Sequence, residues 1–255
     1  MQGEVVLITG GSSGIGLAAA RRFVSLGARV RLTARNGEKL ARAAAELGGG
    51  TDWFSADVSD PASVAALMEW IAERDGRLDV LLNSAGQLDL ASSGESAPEL
   101  AERLMRVNYF GLTRTITAAL PLLRMSSRKS IVNLSSFAGK LVPPYFSAYS
   151  ASKFAVQGYT HALRQEMAGE GFHVGLVLPG PVASPMTDGL LNSPMYPVPV
   201  GVPVLSPDQV AAAIVKCVRR RRSEVVVPGY FAPLLRLGAA FPRLVDLIYL
   251  PYRKR

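Results

Sequence analysis

Tyr149 and Lys153 stand four residues apart in a segment of helical spacing, so their side chains share one face of that helix. A phenol with an ordinary pKa of about 10 is a poor base at neutral pH. A nearby ammonium stabilises the phenolate and lowers that pKa, which lets a tyrosine pass a proton to or from a carbonyl or an alcohol. Alone the pair is common by chance, but other polar residues accompany it. Upstream, the apolar run Ser130–Leu134 leads into Ser135 and Ser136, placing hydroxyls at a strand's C-terminal edge, where doubly wound sheets bind ligands. Asn83-Ser84-Ala85-Gly86 closes another such run. Asn108 sits inside a long helical segment, where Asn is a poor residue; a local kink that binds water accounts for it.

A second constellation lies at the start of the chain. The run Val5–Thr9 is followed by Gly10-Gly11-Ser12-Ser13-Gly14-Ile15-Gly16 and then a helical stretch. Glycines at a strand-to-helix turn let the backbone approach a pyrophosphate, which then rests on the helix N-terminus. Gly10, Ser12, Ser13, Gly14, Ile15 and Gly16 are therefore expected to bind a dinucleotide. The end of the second strand, Thr33-Ala34-Arg35-Asn36, carries no carboxylate for a ribose 2′-hydroxyl and has one guanidinium. Arg can pair bidentately with a 2′-phosphate that Asp would repel. NADP(H) is expected, with Arg35 as the main reader and Ser12 or Asn36 as helpers. The bland reading makes Arg35 a solvated surface residue.

The elements that must position these residues follow from the pattern of short apolar runs. Val5–Thr9, Arg29–Thr33, Thr51–Ala56, Val80–Asn83, Ser130–Leu134, His173–Leu178 and Glu224–Val227 read as strands. Segments 14–26, 37–47, 61–75, 99–124, 148–169 and 207–221 read as helices. Near-continuous apolar strands suit a parallel sheet covered on both faces, and the alternation predicts an α/β, Rossmann-type doubly wound sheet of about seven strands. We find no linker or repeat, so 1–255 is expected to be a single domain. The proline-rich stretch 181–206 reads as a substrate loop, and 230–255 as an apolar and basic C-terminal extension.

Among 255 residues there are 28 Lys and Arg against 20 Asp and Glu, a net charge of +8. Ten of the basic residues fall in 206–255 against three acidic ones, so the first 205 are almost neutral. Such an uneven charge argues against a nucleic-acid partner for the body of the protein. One cysteine, Cys217, and two histidines, His161 and His173, exclude a disulfide framework and make a metal site unexpected; Cys217 reads as a small core residue. Arg219–Arg222 reads as a solvated helix C-terminus ahead of a lipid or nucleic-acid patch. No secretory signal or spanning helix is apparent, so a cytoplasmic location is expected, with peripheral membrane contact left open.

Taken in order, these motifs resemble those of the short-chain dehydrogenase/reductase family, over residues 4 to roughly 230. They are Thr9-Gly10-x-x-x-Gly14-x-Gly16, Asp57-Val58, Asn83-x-Ala85-Gly86, Asn108, Ser136, Tyr149-x-x-x-Lys153 and Pro179-Gly180-x-Val182. The resemblance implies that Ser136, thirteen residues before Tyr149, is the catalytic serine rather than Ser135. It implies that Asp57 and Val58 contact adenine, that Lys153 binds the nicotinamide ribose, and that Asn108 holds a water linking Lys153 to solvent. Asn83, Ala85, Gly86, Pro179, Gly180 and Val182 would also border the cofactor. Two positions depart from the family pattern. Ser84 replaces an Asn, and Ser184 replaces a Thr that bonds the cofactor carboxamide but keeps the hydroxyl. The activity implied is hydride transfer between NADP(H) and a ketone or secondary alcohol, with Tyr149 as general acid/base. A catalytically quiet NADP-binding sensor or scaffold is the competing class, and the intact Asn108, Ser136, Tyr149 and Lys153 argue against it.

Segments 87–97, 137–146 and the loop after Pro179 are expected to border the substrate pocket. They offer Leu88, Leu90, Phe137, Leu141, Val142, Tyr145, Phe146, Met186, Leu190, Leu191, Met195 and Tyr196, with Lys140 the nearby cation. An apolar small-molecule ketone or alcohol is the expected substrate, although a small non-lipid ketone stays open. A weaker likeness ties the pocket and tail to 3-ketosphinganine reductases and hydroxysteroid dehydrogenases, and a homodimer or homotetramer is expected. Arg236 and Arg243, seven apart, share a face if one helix bends at Pro242. Such a helix suits an anionic membrane surface; packing against the catalytic domain or a second subunit is the equal alternative.

Overall fold

The computed structural model describes residues 1–93, 98–199 and 201–252. Seven strands pair in parallel in the order β3-β2-β1-β4-β5-β6-β7. They are β1 (Val5–Thr9), β2 (Arg29–Ala34), β3 (Asp52–Ser55), β4 (Val80–Asn83), β5 (Ser130–Leu134), β6 (His173–Pro179) and β7 (Glu224–Val227). Val6 of β1 stands opposite Val30 of β2 on one side and Val80 of β4 on the other. The strand order reverses at β1, and the crevice beyond the C-terminal ends of β1 and β4 is the ligand position of such a sheet.

Helices cover both faces, as near-continuous apolar strands require. Alternate β1 residues point opposite ways. Val6 and Ile8 pack beneath α1 (Gly14–Ser25), α2 (Gly37–Leu47) and α7 (Pro207–Arg219). Val5 and Leu7 pack beneath α3 (Pro61–Asp75), α5 (Leu112–Arg124) and α6 (Ser147–Glu166). The helix ends carry ordinary stop and start chemistry. Asp60 caps α3 through the Ala62 and Ser63 N–H groups, with Pro61 at the first position. Ser206 and Gln209 form a capping box on α7.

The expected helical stretch over 99–124 is continuous, with a local distortion at Asn108. The chain makes α4 (Pro98–Met105), a π-turn at Arg106–Gly111, and then α5. The cause lies in Asn108. Its Oδ1 accepts the Gln87 N–H at 2.7 Å, and its Nδ2 donates to the Gln87 carbonyl at 2.9 Å and to Ser152 Oγ at 2.9 Å. These bonds draw the turn toward the loop after β4, and a π-turn absorbs the displacement.

The extension takes the packing alternative. It forms two helices, α8 (Ala232–Ala240) and α9 (Pro242–Tyr249), broken at extended Phe241 (φ −128°, ψ 81°). Pro242 lacks the N–H that would continue α8, so Arg236 and Arg243 do not share one helix face. Both helices pack on the catalytic domain. Leu235, Gly238 and Tyr249 are buried, and Gly238 lies against Leu141 and Val245 so closely that a Cβ would collide with Leu141. The basic end Arg253-Lys254-Arg255 lies outside the described residues, as do 94–97 of the expected pocket border.

Candidate active site

The strand ends of β1, β4, β5 and β6 open onto one cavity of about 960 Å³. At its first end the Gly-rich turn is shaped by close approach. Gly10 has φ +67°, and a Cβ there would lie 2.9 Å from the Ala85 backbone; one on Gly16 would overlap the Gly10 carbonyl. Thr9 Oγ1 accepts the N–H groups of Ser84 and Ala85 at 3.1 and 3.0 Å, holding the end of β4 beside that of β1. Gly10, Ser12, Ser13, Gly14, Ile15 and Gly16 all line the cavity. Ser184, in the loop after β6, closes over Gly14, whose Cβ would stand 3.5 Å from its own. A glycine cradle at the N-terminus of α1 fits a dinucleotide pyrophosphate.

Arg35 and Asn36 border the same end. Arg35 is exposed and has no acidic partner among the described residues. Asn36 is partly committed, since its Oδ1 caps α2 by accepting the Lys39 N–H at 2.8 Å. Lys39 itself lines the cavity beside Ser12. Sequence reasoning missed it, although its place one turn into the helix after Arg35 was a usable signal. Asp57, Val58, Ala85, Gly86, Pro179, Gly180, Val182 and Ser184 all reach the wall.

Two further candidates, Asn83 and Asn108, stand back from it. Asn83 is buried in β4, and its Nδ2 donates to Asn133 Oδ1 at 2.9 Å; it joins neighbouring strands and stays off the cavity wall. Asn108 is 1% exposed and stands behind Gly86, where an added Cβ would meet Asn108 Oδ1 at 3.3 Å and Lys153 Nζ at 3.7 Å.

Beyond the cradle, Ser136, Tyr149 and Lys153 line the middle of the cavity. The Ser136 hydroxyl lies beside the Tyr149 phenol and accepts the Ala138 N–H at 3.1 Å. Ser135 is turned away, donating to the Lys153 carbonyl at 3.2 Å. Lys153 Nζ donates to the Leu134 carbonyl at 3.2 Å and lies 5.6 Å from the Tyr149 ring centre. Burial pushes the Lys153 ammonium down to about 8. Burial also pushes the Tyr149 phenol up, with Tyr196 adding to the rise and Ser136 opposing it. Burial thus outweighs the opposing effect of Ser136, and Tyr149 stands as a protonated acid beside that hydroxyl.

The far end is apolar. Leu88, Phe137, Leu141, Phe146, Met186 and Tyr196 line it as expected. Leu90, Val142, Tyr145, Leu190, Leu191 and Met195 do not reach it, and Lys140 is held away by Glu224 at 2.8 Å. Their place is taken by the extension, through Phe231, Leu234, Leu244, Ile248 and Tyr249. Sequence reasoning missed these five, since an apolar helix does not disclose what it covers.

Comparison with known proteins agrees with this geometry. The short chain dehydrogenase family profile matches residues 4–193. The chain is 35% identical to 11-beta-hydroxysteroid dehydrogenase 1A of Arabidopsis thaliana, over 96% of this chain and 74% of that protein. It is 40% identical to a putative ketoacyl reductase of granaticin polyketide synthase from Streptomyces violaceoruber, over 72% and 70%. It is 37% identical to 3-ketodihydrosphingosine reductase of Bacteroides thetaiotaomicron, over 74% and 67%. A solved short chain dehydrogenase/reductase family protein superposes with a TM-score of 0.79 at 30% identity, covering 88% of this chain and 96% of that one. With its parallel seven-stranded sheet and this match over most of its length, the chain belongs to the short-chain dehydrogenase/reductase family, oxidoreductases that use a nicotinamide dinucleotide, NAD or NADP, on small-molecule substrates.

Proposed function

We propose that this protein is an NADP(H)-dependent ketone reductase for apolar, lipid-like substrates. The observation that carries the reading is one cavity with three successive parts. A glycine cradle bordered by the exposed Arg35 leads to Ser136, Tyr149 and Lys153, and then to an apolar chamber. Arg35, with Lys39 and Ser12 beside it, would hold a 2′-phosphate. Asp57 and Val58 would border the adenine, Ser184 the carboxamide, and Lys153 the nicotinamide ribose. The bound dinucleotide supplies the hydride.

The chain's own residues do the rest. Ser136 and Tyr149 hydrogen-bond the carbonyl oxygen, and Tyr149 donates its proton as negative charge develops there. Asn108 acts by position. Its bonds to Gln87 and Ser152 hold the π-turn open behind Lys153, where water reaches the ammonium and restores the proton. Tyr149→Phe is expected to cut reduction of an apolar ketone by at least a hundredfold while NADPH binding, followed by fluorescence, stays intact. Full turnover in that variant would sink the assignment.

Two surfaces extend the reading. Phe110 in the π-turn and Phe154 on neighbouring α6 are exposed rings, which supports a homo-oligomer built across these elements. Leu237, Phe241, Leu247 and Leu250 are exposed on the two helices that also wall the chamber, with exposed Arg236 and Arg243 nearby. No described helix is long and apolar enough to cross a membrane. The exposed set supports contact with an anionic membrane surface, from which an apolar ketone would enter.

A further inference from the structure

The apolar chamber contains two polar groups that ketone reduction leaves unused. Tyr196, in the substrate loop, and Tyr249, in α9, both line it. Tyr249 is only 8% exposed. Among the described residues neither phenol hydroxyl has a hydrogen-bond partner. Nearby Tyr252 differs in this respect, donating to the Val198 carbonyl at 3.2 Å. Neither oxygen is among the fully buried polar atoms that lack a partner, so each hydroxyl is accessible and a ligand oxygen can take the place of water on it.

Their placement relates them to the reacting centre. Phe146 stands edge-on to Tyr149 at 6.0 Å and to Tyr196 at 5.2 Å, so one ring separates the acid from the second phenol. Tyr196 is close enough to both Tyr149 and Tyr249 to add to the rise that burial causes in each. The bond from Tyr252 to Val198, two residues beyond Tyr196, ties the end of α9 to the loop and fixes the two phenols relative to one another. The basic side chains on the described wall, Arg35, Lys39 and Lys153, belong to the cradle and the catalytic group, so the phenols face a neutral oxygen.

We propose that Tyr196 and Tyr249 form a second oxygen-binding site in the substrate chamber. It selects ketones that carry a further neutral hydroxyl or carbonyl a few carbons from the reacting carbonyl, over otherwise identical ketones that lack it. The proposal rests on the ketone-reductase reading above and narrows its substrate class.

The test uses long-chain ketones with a hydroxyl on the α, β or γ carbon, each beside the ketone lacking that hydroxyl. Turnover with NADPH and calorimetric binding to the NADP⁺-saturated full-length protein are both measured. The native protein should favour at least one hydroxyketone by about tenfold or more, the effect of one hydrogen bond. Tyr196→Phe and Tyr249→Phe should each remove most of that preference, chiefly through KM, so that the hydroxyketone falls toward the level of its simple partner. Equal binding and turnover of all pairs would overturn the second site and leave the reductase standing. So would equal losses on both members of each pair in the Phe variants. A binding preference that the Phe variants abolish, with no turnover of any ketone, would uphold the site and overturn the reductase.

Discussion

At the residue scale, burial sets the protonation states that the proposed chemistry needs. Tyr149 is raised by burial and stays a proton donor, while Lys153 is lowered to about 8. A lysine lowered in this way carries its ammonium below about pH 8 and loses it as pH rises through that value. Reductive kcat/KM, which reports the free enzyme, should therefore decline above about pH 8, with a flat region below. A rate that keeps rising to pH 9.5 (about one and a half units further) would exclude Lys153 from the proton path. Arg35 makes a separate prediction. Arg35→Asp should weaken NADPH by about a hundredfold or more and NADH little, since it replaces a pairing cation with a repelling anion. Unchanged preference in paired cofactor titrations would return Arg35 to the solvated surface.

At the element scale, the sequence patterns were legible where a residue's role depends on its immediate neighbours in the chain. Val6 and Ile8 against Val5 and Leu7 disclose a strand buried on both faces, and the glycines from Gly10 to Gly16 disclose the cradle. Asn108 disclosed a distortion, but not its form, because Gln87 and Ser152 are distant in sequence and meet it only in the fold. The bond of Asn83 was illegible for the same reason, its partner Asn133 lying on the adjacent strand. The extension was ambiguous in principle, since an apolar stripe reads alike whether it covers a protein cavity, a lipid surface or both. Gly238 shows how closely α8 is seated. Gly238→Val should push α8 away from Leu141, cost about 1–3 kcal/mol of stability, and raise KM for apolar ketones several-fold. Thermal unfolding and steady-state kinetics would measure the two effects, and an unchanged KM would mean that α8 does not shape the chamber.

At the scale of the whole molecule, the net charge of +8 is concentrated in the last fifth of the chain, which also walls the substrate end of the cavity. Some of that charge is already engaged, because Arg221 donates to the carbonyls of Arg128 and Gly171. The exposed Arg236 and Arg243 accompany the apolar side chains of α8 and α9. Replacing Leu237, Phe241 and Leu247 together by Ser should reduce co-sedimentation with anionic vesicles by about tenfold while reduction of a short soluble ketone is retained. Equal sedimentation of both proteins would assign this face to another partner.

The seating of α9 against the substrate loop also bears on the order of assembly. The strands, the glycine turn and the Tyr149 helix all precede α8 in the chain. During synthesis the nucleotide cradle can therefore form while the substrate chamber still lacks the wall made by Leu244, Ile248 and Tyr249. A nascent chain should acquire the capacity to hold a dinucleotide before it can discriminate among ketones.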